Sequence, residues 1–196
     1  MNKTAILLYG YMRTYKKTSH SLLDKIVKLN CADVFVFTYS NEGVSKIDPN
    51  LDINVSKNIN AAEQDKQGEK VTEDLLKQVY GESLVSCKIE DYDPSKFKSD
   101  SANVFSPILP IDRIFSLYYN INKVVNLLSD YEKAHNMKYE NVLITRPDLL
   151  FYSEIDLTLL DNKDVYVPTY GGNIAPPLKS LINISVVFTR MLNDRN

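Results

Sequence analysis

Hydrophobic and polar positions along the chain switch between two periods, and the switches divide it into elements. Thr4 to Tyr9 (TAILLY) is a short apolar run with no polar face, the pattern of a strand buried on both sides. From about Lys16 to Leu29 the apolar residues Leu22, Leu23, Ile26, Val27 and Leu29 fall at helical spacing, with lysines opposite. Asp33 to Tyr39 (DVFVFTY) returns to strand composition. Strand, helix and strand in so short a span predict a right-handed βαβ unit with parallel neighbours.

Asn41 to Lys70 is polar, with Gly43, Pro49 and Gly68 as breakers, and predicts a long surface excursion. Thr72 is placed to cap a helix over Glu73 to Tyr80, with acidic residues in its first turn and Gly81 just past its end. Leu84 to Ile89 is a third strand candidate. After Pro107 and Pro110 the longest helical signal runs from Ile111 to Asn136, its stripe formed by Ile114, Leu117, Tyr118, Ile121, Val124, Val125, Leu128 and Tyr131. At 1.5 Å per residue it spans about 39 Å, enough to overhang the sheet and bring Asp112 and Arg113 near a cleft. Asp156 to Leu160 reads as a helical turn, and Val165 to Pro168 as a short strand before Gly171-Gly172. Ser180 to Leu192 fits either a strand or a helix.

The stretch that organises this pattern is Asn141 to Tyr152 (NVLITRPDLLFY). Its β-branched run stops at Arg146-Pro147-Asp148 and resumes as Leu149 to Tyr152. Pro147 has no N–H to donate and fixes its own φ, so a ladder breaks there. A guanidinium and a carboxylate two residues apart are thereby expected at the carboxyl end of a central strand, where open α/β sheets bind ligands.

Composition narrows the options. With 44% hydrophobic and 24% charged residues, the 196-residue chain is an ordinary globular one, long enough for one well-buried domain. A net charge of −2 gives no basic footprint for nucleic acid. Cys31 and Cys87 lack neighbours at ligand spacing and read as reduced thiols, and no apolar run suits a signal or a membrane span. A cytoplasmic protein is the expectation.

The segments ILLYGYMRTYKK, ADVFVFTYS, SLYYNINKVVNLLSDYE, YENVLITRPDLLFY and VYVPTYGG, in this order, resemble a family of GT-A-type glycosyltransferases found in capsule and surface-polysaccharide loci and in some large viruses and phages. The resemblance covers about Thr4 to Gly172, and its most specific parts are the G-x-x-R-T loop and the R-P-D segment. It implies a Rossmann-like three-layer α/β sandwich with a mostly parallel central sheet. It also implies transfer of a sugar from a nucleotide-sugar donor to a saccharide or other hydroxyl acceptor, with Mn²⁺ or Mg²⁺ on the diphosphate. The family's Asp-x-Asp metal motif matches Arg146-Pro147-Asp148 here, leaving Asp148 as its single acidic position. Residues 1–172 would form the nucleotide-sugar-binding domain, and 173–196 an incomplete or divergent C-terminal segment.

The residues themselves are compatible with that chemistry. Arg146 offers a planar guanidinium for two-point phosphate contact, and Asp148 a hard oxygen for a divalent cation. Gly10 permits close approach, with Arg13 and Thr14 beside it, and Tyr39 is a candidate for stacking on a base. Arg113 and Gly171 complete the expected substrate-binding set. Each has a plainer alternative: a salt-bridged strand terminus for Arg146 and Asp148, a strand-to-helix turn for Gly10 and Arg13, a rim tyrosine for Tyr39. No catalytic base stands out, since Asp112 suits a helix's first turn and His20 and His135 fall among polar helical residues. A non-catalytic nucleotide or sugar binder is the competing function, and an interaction domain a further one. A dinucleotide oxidoreductase is disfavoured by the absence of G-x-G-x-x-G after the first strand.

Overall fold

The computed structural model describes residues 3–43, 68–97, 111–160, 165–166 and 186–189. Four strands run parallel: β1 (Thr4–Tyr9), β2 (Asp33–Tyr39), β3 (Leu84–Glu90) and β4 (Asn141–Thr145). Two short strands, β5 (Val165–Tyr166) and β6 (Val186–Thr189), complete one six-stranded sheet in the order β3-β2-β1-β4-β6-β5, with β6 antiparallel to both neighbours. Among the described residues three α-helices join them: α1 (Tyr15–Leu22), α2 (Glu73–Tyr80) and α3 (Ile111–Ala134). The expected α/β architecture with a mostly parallel sheet is what the chain adopts.

Alternation along β1 explains the layers. Ile6 and Leu8 face a core with Leu22 and Ile26 from the first helix and Leu76 and Tyr80 from α2. Ala5, Leu7 and Tyr9 face a second core with Val124 and Leu128 of α3. All six residues of β1 are buried, so the sheet is sandwiched between helices at its centre.

The helix caps follow the sequence closely. Thr72 accepts a hydrogen bond from Leu75 N at 3.2 Å, and Gly81 stands at the far end of α2 with φ +58°. α1 departs from expectation, because at Leu23–Val27 it widens into a π-helical turn in which Lys28 N reaches back to Leu23 O. The wider turn keeps both Ile26 and Val27 in the core, while Leu29, expected on the same stripe, is 43% exposed. On α3 the buried row is Val124 and Leu128, and Tyr118 and Val125 point outward. Leu149–Tyr152 does not resume the strand; Leu150 and Tyr152 are exposed. β6 resolves the ambiguity within Ser180–Leu192 as a strand over Val186–Thr189.

Candidate active site

Within the parallel part, β1 leads outward to β2 and β3, and the chain then returns to the other side of β1 as β4. The carboxyl ends of β1 and β4 therefore flank a topological switch point, where open α/β sheets form a crevice. Leu8 is in register with Thr145, so the segments after Tyr9 and after Thr145 leave the sheet at the same level.

Gly10 has φ +93° and donates from its N–H to Phe37 O at 3.0 Å. A Cβ there would meet Asn120 Nδ2 no closer than 3.9 Å, so glycine is required by the backbone and not by space. Arg13 also lies in the left-handed region, at φ +42°, and its N–H donates to Glu42 O at 2.8 Å. This turn leads straight into α1, which begins under the β4 exit.

Facing that turn, Arg146 Nε donates to Asp148 Oδ1 at 2.8 Å, and its terminal nitrogen donates to Asp148 Oδ2, a two-point pairing. Arg13 Nη1 stands 3.8 Å from the same Oδ2. The side chains are 32% exposed for Arg13, 16% for Arg146 and 9% for Asp148, so the carboxylate is the most buried of the three. Of the expected binding residues, Gly10, Arg13, Thr14, Arg146 and Asp148 are thus brought together. Tyr9, beside them, has its phenol pushed above the ordinary value by burial, with Arg146 lowering it and Asp148 raising it.

A row of polar side chains on the first helix holds the segment after β4 by its main chain. Thr14 Oγ1 donates to Asp148 O at 3.4 Å and Thr18 Oγ1 to Pro147 O at 2.8 Å. Ser21 Oγ accepts from Phe151 N at 3.1 Å. Beyond the π-helical turn, Asn30 Nδ2 donates to Ile155 O at 2.8 Å and its Oδ1 accepts from Leu157 N at 2.7 Å. Sequence reasoning missed this row. The signal was the spacing of Thr14, Thr18 and Ser21 at four and three residues, a helical stripe that is polar and yet buried at Thr18 and Ser21.

Tyr39 corrects an expectation. Its ring is 2% exposed, covered by Tyr11 at 4.7 Å and Tyr92 at 5.2 Å, and its hydroxyl donates to Asn120 Oδ1 at 2.6 Å. Buried on these sides it cannot stack on a base; Tyr11, with the Arg13 guanidinium 5.7 Å from its ring centroid, is the ring nearer the crevice. Asn120 is a second residue that sequence reasoning missed. It lies four residues before Val124 and eight before Leu128, a polar group continuing a buried apolar row. Arg113 sits in the first turn of α3, but its side chain lies outside the described residues, as does Gly171. Asp112 is exposed in that turn. His135 stacks on Tyr131 at 3.9 Å beyond the amino end of β4, away from the crevice.

A divalent cation does not fit the donor set at Asp148. Both carboxylate oxygens are engaged by Arg146, and a second guanidinium adjoins Oδ2. Among the described residues there is no group of three His, Cys, Asp or Glu arranged to hold a metal. No described helix is long and apolar enough to cross a membrane. Comparison with protein-family models, characterised proteins and solved structures found no match.

Proposed function

We propose that the chain binds a nucleotide-sugar in the crevice at the carboxyl ends of β1 and β4 and acts as a glycosyltransferase toward a saccharide or other hydroxyl acceptor. The reading is carried by one observation: the Gly10–Thr14 turn and the Arg146-Pro147-Asp148 turn meet at the switch point, with Arg13 Nη1 3.8 Å from Asp148 Oδ2. Guanidiniums in that position suit the two negative charges of a nucleoside diphosphate. The left-handed turn at Gly10 lets main chain come close without a side chain in the way. In the transfer step the acceptor oxygen bonds to the anomeric carbon as the bond to the diphosphate breaks; the leaving diphosphate takes up the electron pair beside the arginines, and the acceptor hydroxyl's proton passes to solvent or to the departing phosphate oxygen.

A second reading, a non-catalytic nucleotide-sugar-binding domain, is favoured by the pairing at Asp148. While Arg146 holds both oxygens, that carboxylate is not a base for the acceptor hydroxyl. A panel of UDP-, GDP- and CMP-sugars, assayed by calorimetry for binding and by product analysis for hydrolysis and transfer, separates the two. Transfer supports the enzyme, binding with zero turnover supports the binding domain, and absence of binding by the folded protein refutes both.

A further inference from the structure

We infer that the outer face of α3 is an interface between two copies of the chain, which pair their α3 helices antiparallel across a two-fold axis at Asn122.

The helix has two unlike faces. One, through Asn120, Val124 and Leu128, is buried against the sheet. On the other, Phe115, Tyr118, Asn122, Val125, Ser129 and Lys133 recur at steps of three and four, so they form one row along the 24 residues. Phe115 is 45% exposed, Tyr118 66% and Val125 37%, and Lys133 is the row's only charge. An outer helix face ordinarily carries charged and polar residues, so this one is built to be covered.

The symmetry of the row about Asn122 identifies the cover as a second copy. At 1.5 Å per residue, Asp112 lies about 15 Å before Asn122 and Lys133 about 17 Å after it, and both are exposed. An antiparallel twin therefore sets each acidic end beside the partner's basic end, whereas a parallel twin would set like charges together. Tyr118, about 6 Å before the axis, falls opposite the partner's Val125, about 5 Å after it. Phe115 falls opposite the partner's Ser129, a large ring over a small side chain, and each contact is made twice, as a two-fold interface requires. On the axis Asn122 meets the partner's Asn122. Its Oδ1 already accepts from Asn126 Nδ2 at 3.0 Å, and paired amides offer each other donors and acceptors, the device by which one Asn fixes register between helices. Two amides in the middle of the row do not suit a lipid surface. A face of this length and about 11 Å width buries on the order of 800 Å² in the two copies together, below the roughly 1,200–2,000 Å² of stable complexes. The dimer is accordingly weak, with a dissociation constant on the order of 100 μM.

Sedimentation equilibrium of the full chain from about 10 μM to about 1 mM brackets that value. Expected are a reversible monomer–dimer equilibrium in the parent and a loss of at least about tenfold in Tyr118→Asp, which sets a carboxylate against the partner's Val125. Circular dichroism checks that the variant is folded. Orientation is read by oxidation in a Cys31→Ser background. Asn122→Cys should give disulfide-linked dimers, since thiols on the axis meet, and Asp112→Cys mixed with Lys133→Cys should cross-link to each other in preference to like pairs. A chain still monomeric at about 1 mM, a dimer indifferent to Tyr118→Asp, or preferential cross-linking of like with like overturns the inference. Should Tyr118→Asp not fold, the parent's equilibrium and the cross-linking pattern decide.

Discussion

Replacing Asn30 by leucine should be among the most costly single changes to the segment that follows β4. The side chain is 6% exposed and makes three hydrogen bonds: to Ile26 O and Ile155 O at 2.8 Å from Nδ2, and from Leu157 N at 2.7 Å to Oδ1. Ile26 O keeps a partner in the variant, because Asn30 N also donates to it at 3.1 Å. Ile155 O and Leu157 N keep neither of these bonds, and Leu157 is fully buried. Orphaning the buried Leu157 N–H costs about 1–3 kcal/mol, and the half-buried Ile155 O adds less, so the pair costs about 2–4 kcal/mol. Leucine regains a little apolar transfer energy, leaving an expected loss near 3 kcal/mol. For a chain of this size that lowers the melting temperature by about 6–12 °C, at roughly 2–4 °C per kcal/mol. Urea unfolding followed by far-ultraviolet circular dichroism measures it directly. A loss below about 1 kcal/mol in Asn30→Leu would refute the reasoning, because it would mean that both groups find other partners at no cost.

Three further outcomes follow from the same geometry. Thr18→Val keeps the branched shape but removes the hydroxyl that donates to Pro147 O, so it should cost about 1–2 kcal/mol and weaken UDP binding in calorimetry, whereas Thr18→Ser should preserve the affinity. Gly43→Ala should be more destabilising than Gly10→Ala in thermal melts: both positions have positive φ, but a Cβ at Gly43 would stand 2.7 Å from the Tyr11 ring, against 3.9 Å from Asn120 Nδ2 at Gly10. Equal costs would remove Tyr11 from its assigned place. Burial pushes the Glu90 carboxyl up, but hydrogen bonds from Tyr119, Lys123 and Lys88 outweigh it and hold the group below its ordinary value. Its stabilising contribution is therefore present above the unfolded carboxylate pKa of about 4.3 and lost as pH falls through the folded value. The stability gap between parent and Glu90→Gln should accordingly narrow from pH 7 to pH 3, and a constant gap would contradict the assignment.

The sheet was legible because its evidence is local. Uninterrupted apolar runs such as Thr4–Tyr9 suit only a strand covered on both faces, and Thr72 and Gly81 mark a helix by their own backbone chemistry. The meeting of Gly10 and Arg13 with Asp148 was also foreseeable, since parallel strands put their carboxyl ends together. What each side chain then does was not. Arg146 and Asp148 face each other because a turn through Pro147 brings positions two apart onto one rim, and the sequence is the same whether they pair or diverge. Tyr39 reads from the sequence as a ring open to a base because nothing within its own strand shows that Tyr11 and Tyr92, from two different loops, close over it. The polar row on the first helix escaped because threonine and serine at helical spacing ordinarily mean a wet face.

The placement of β6 has a bearing on biogenesis. Thr145 ends β4 and Val186 begins β6, so 41 positions (186 − 145) must be synthesised before β4 gains its partner on that flank. Until then β4 has an open hydrogen-bonding edge beside the crevice, and β5, already translated, has no neighbour to join, because its ladder runs to β6. Translation order and assembly order are therefore opposed in this half of the molecule, and a nascent chain paused before Val186 would present a sticky strand where the finished protein presents a closed one.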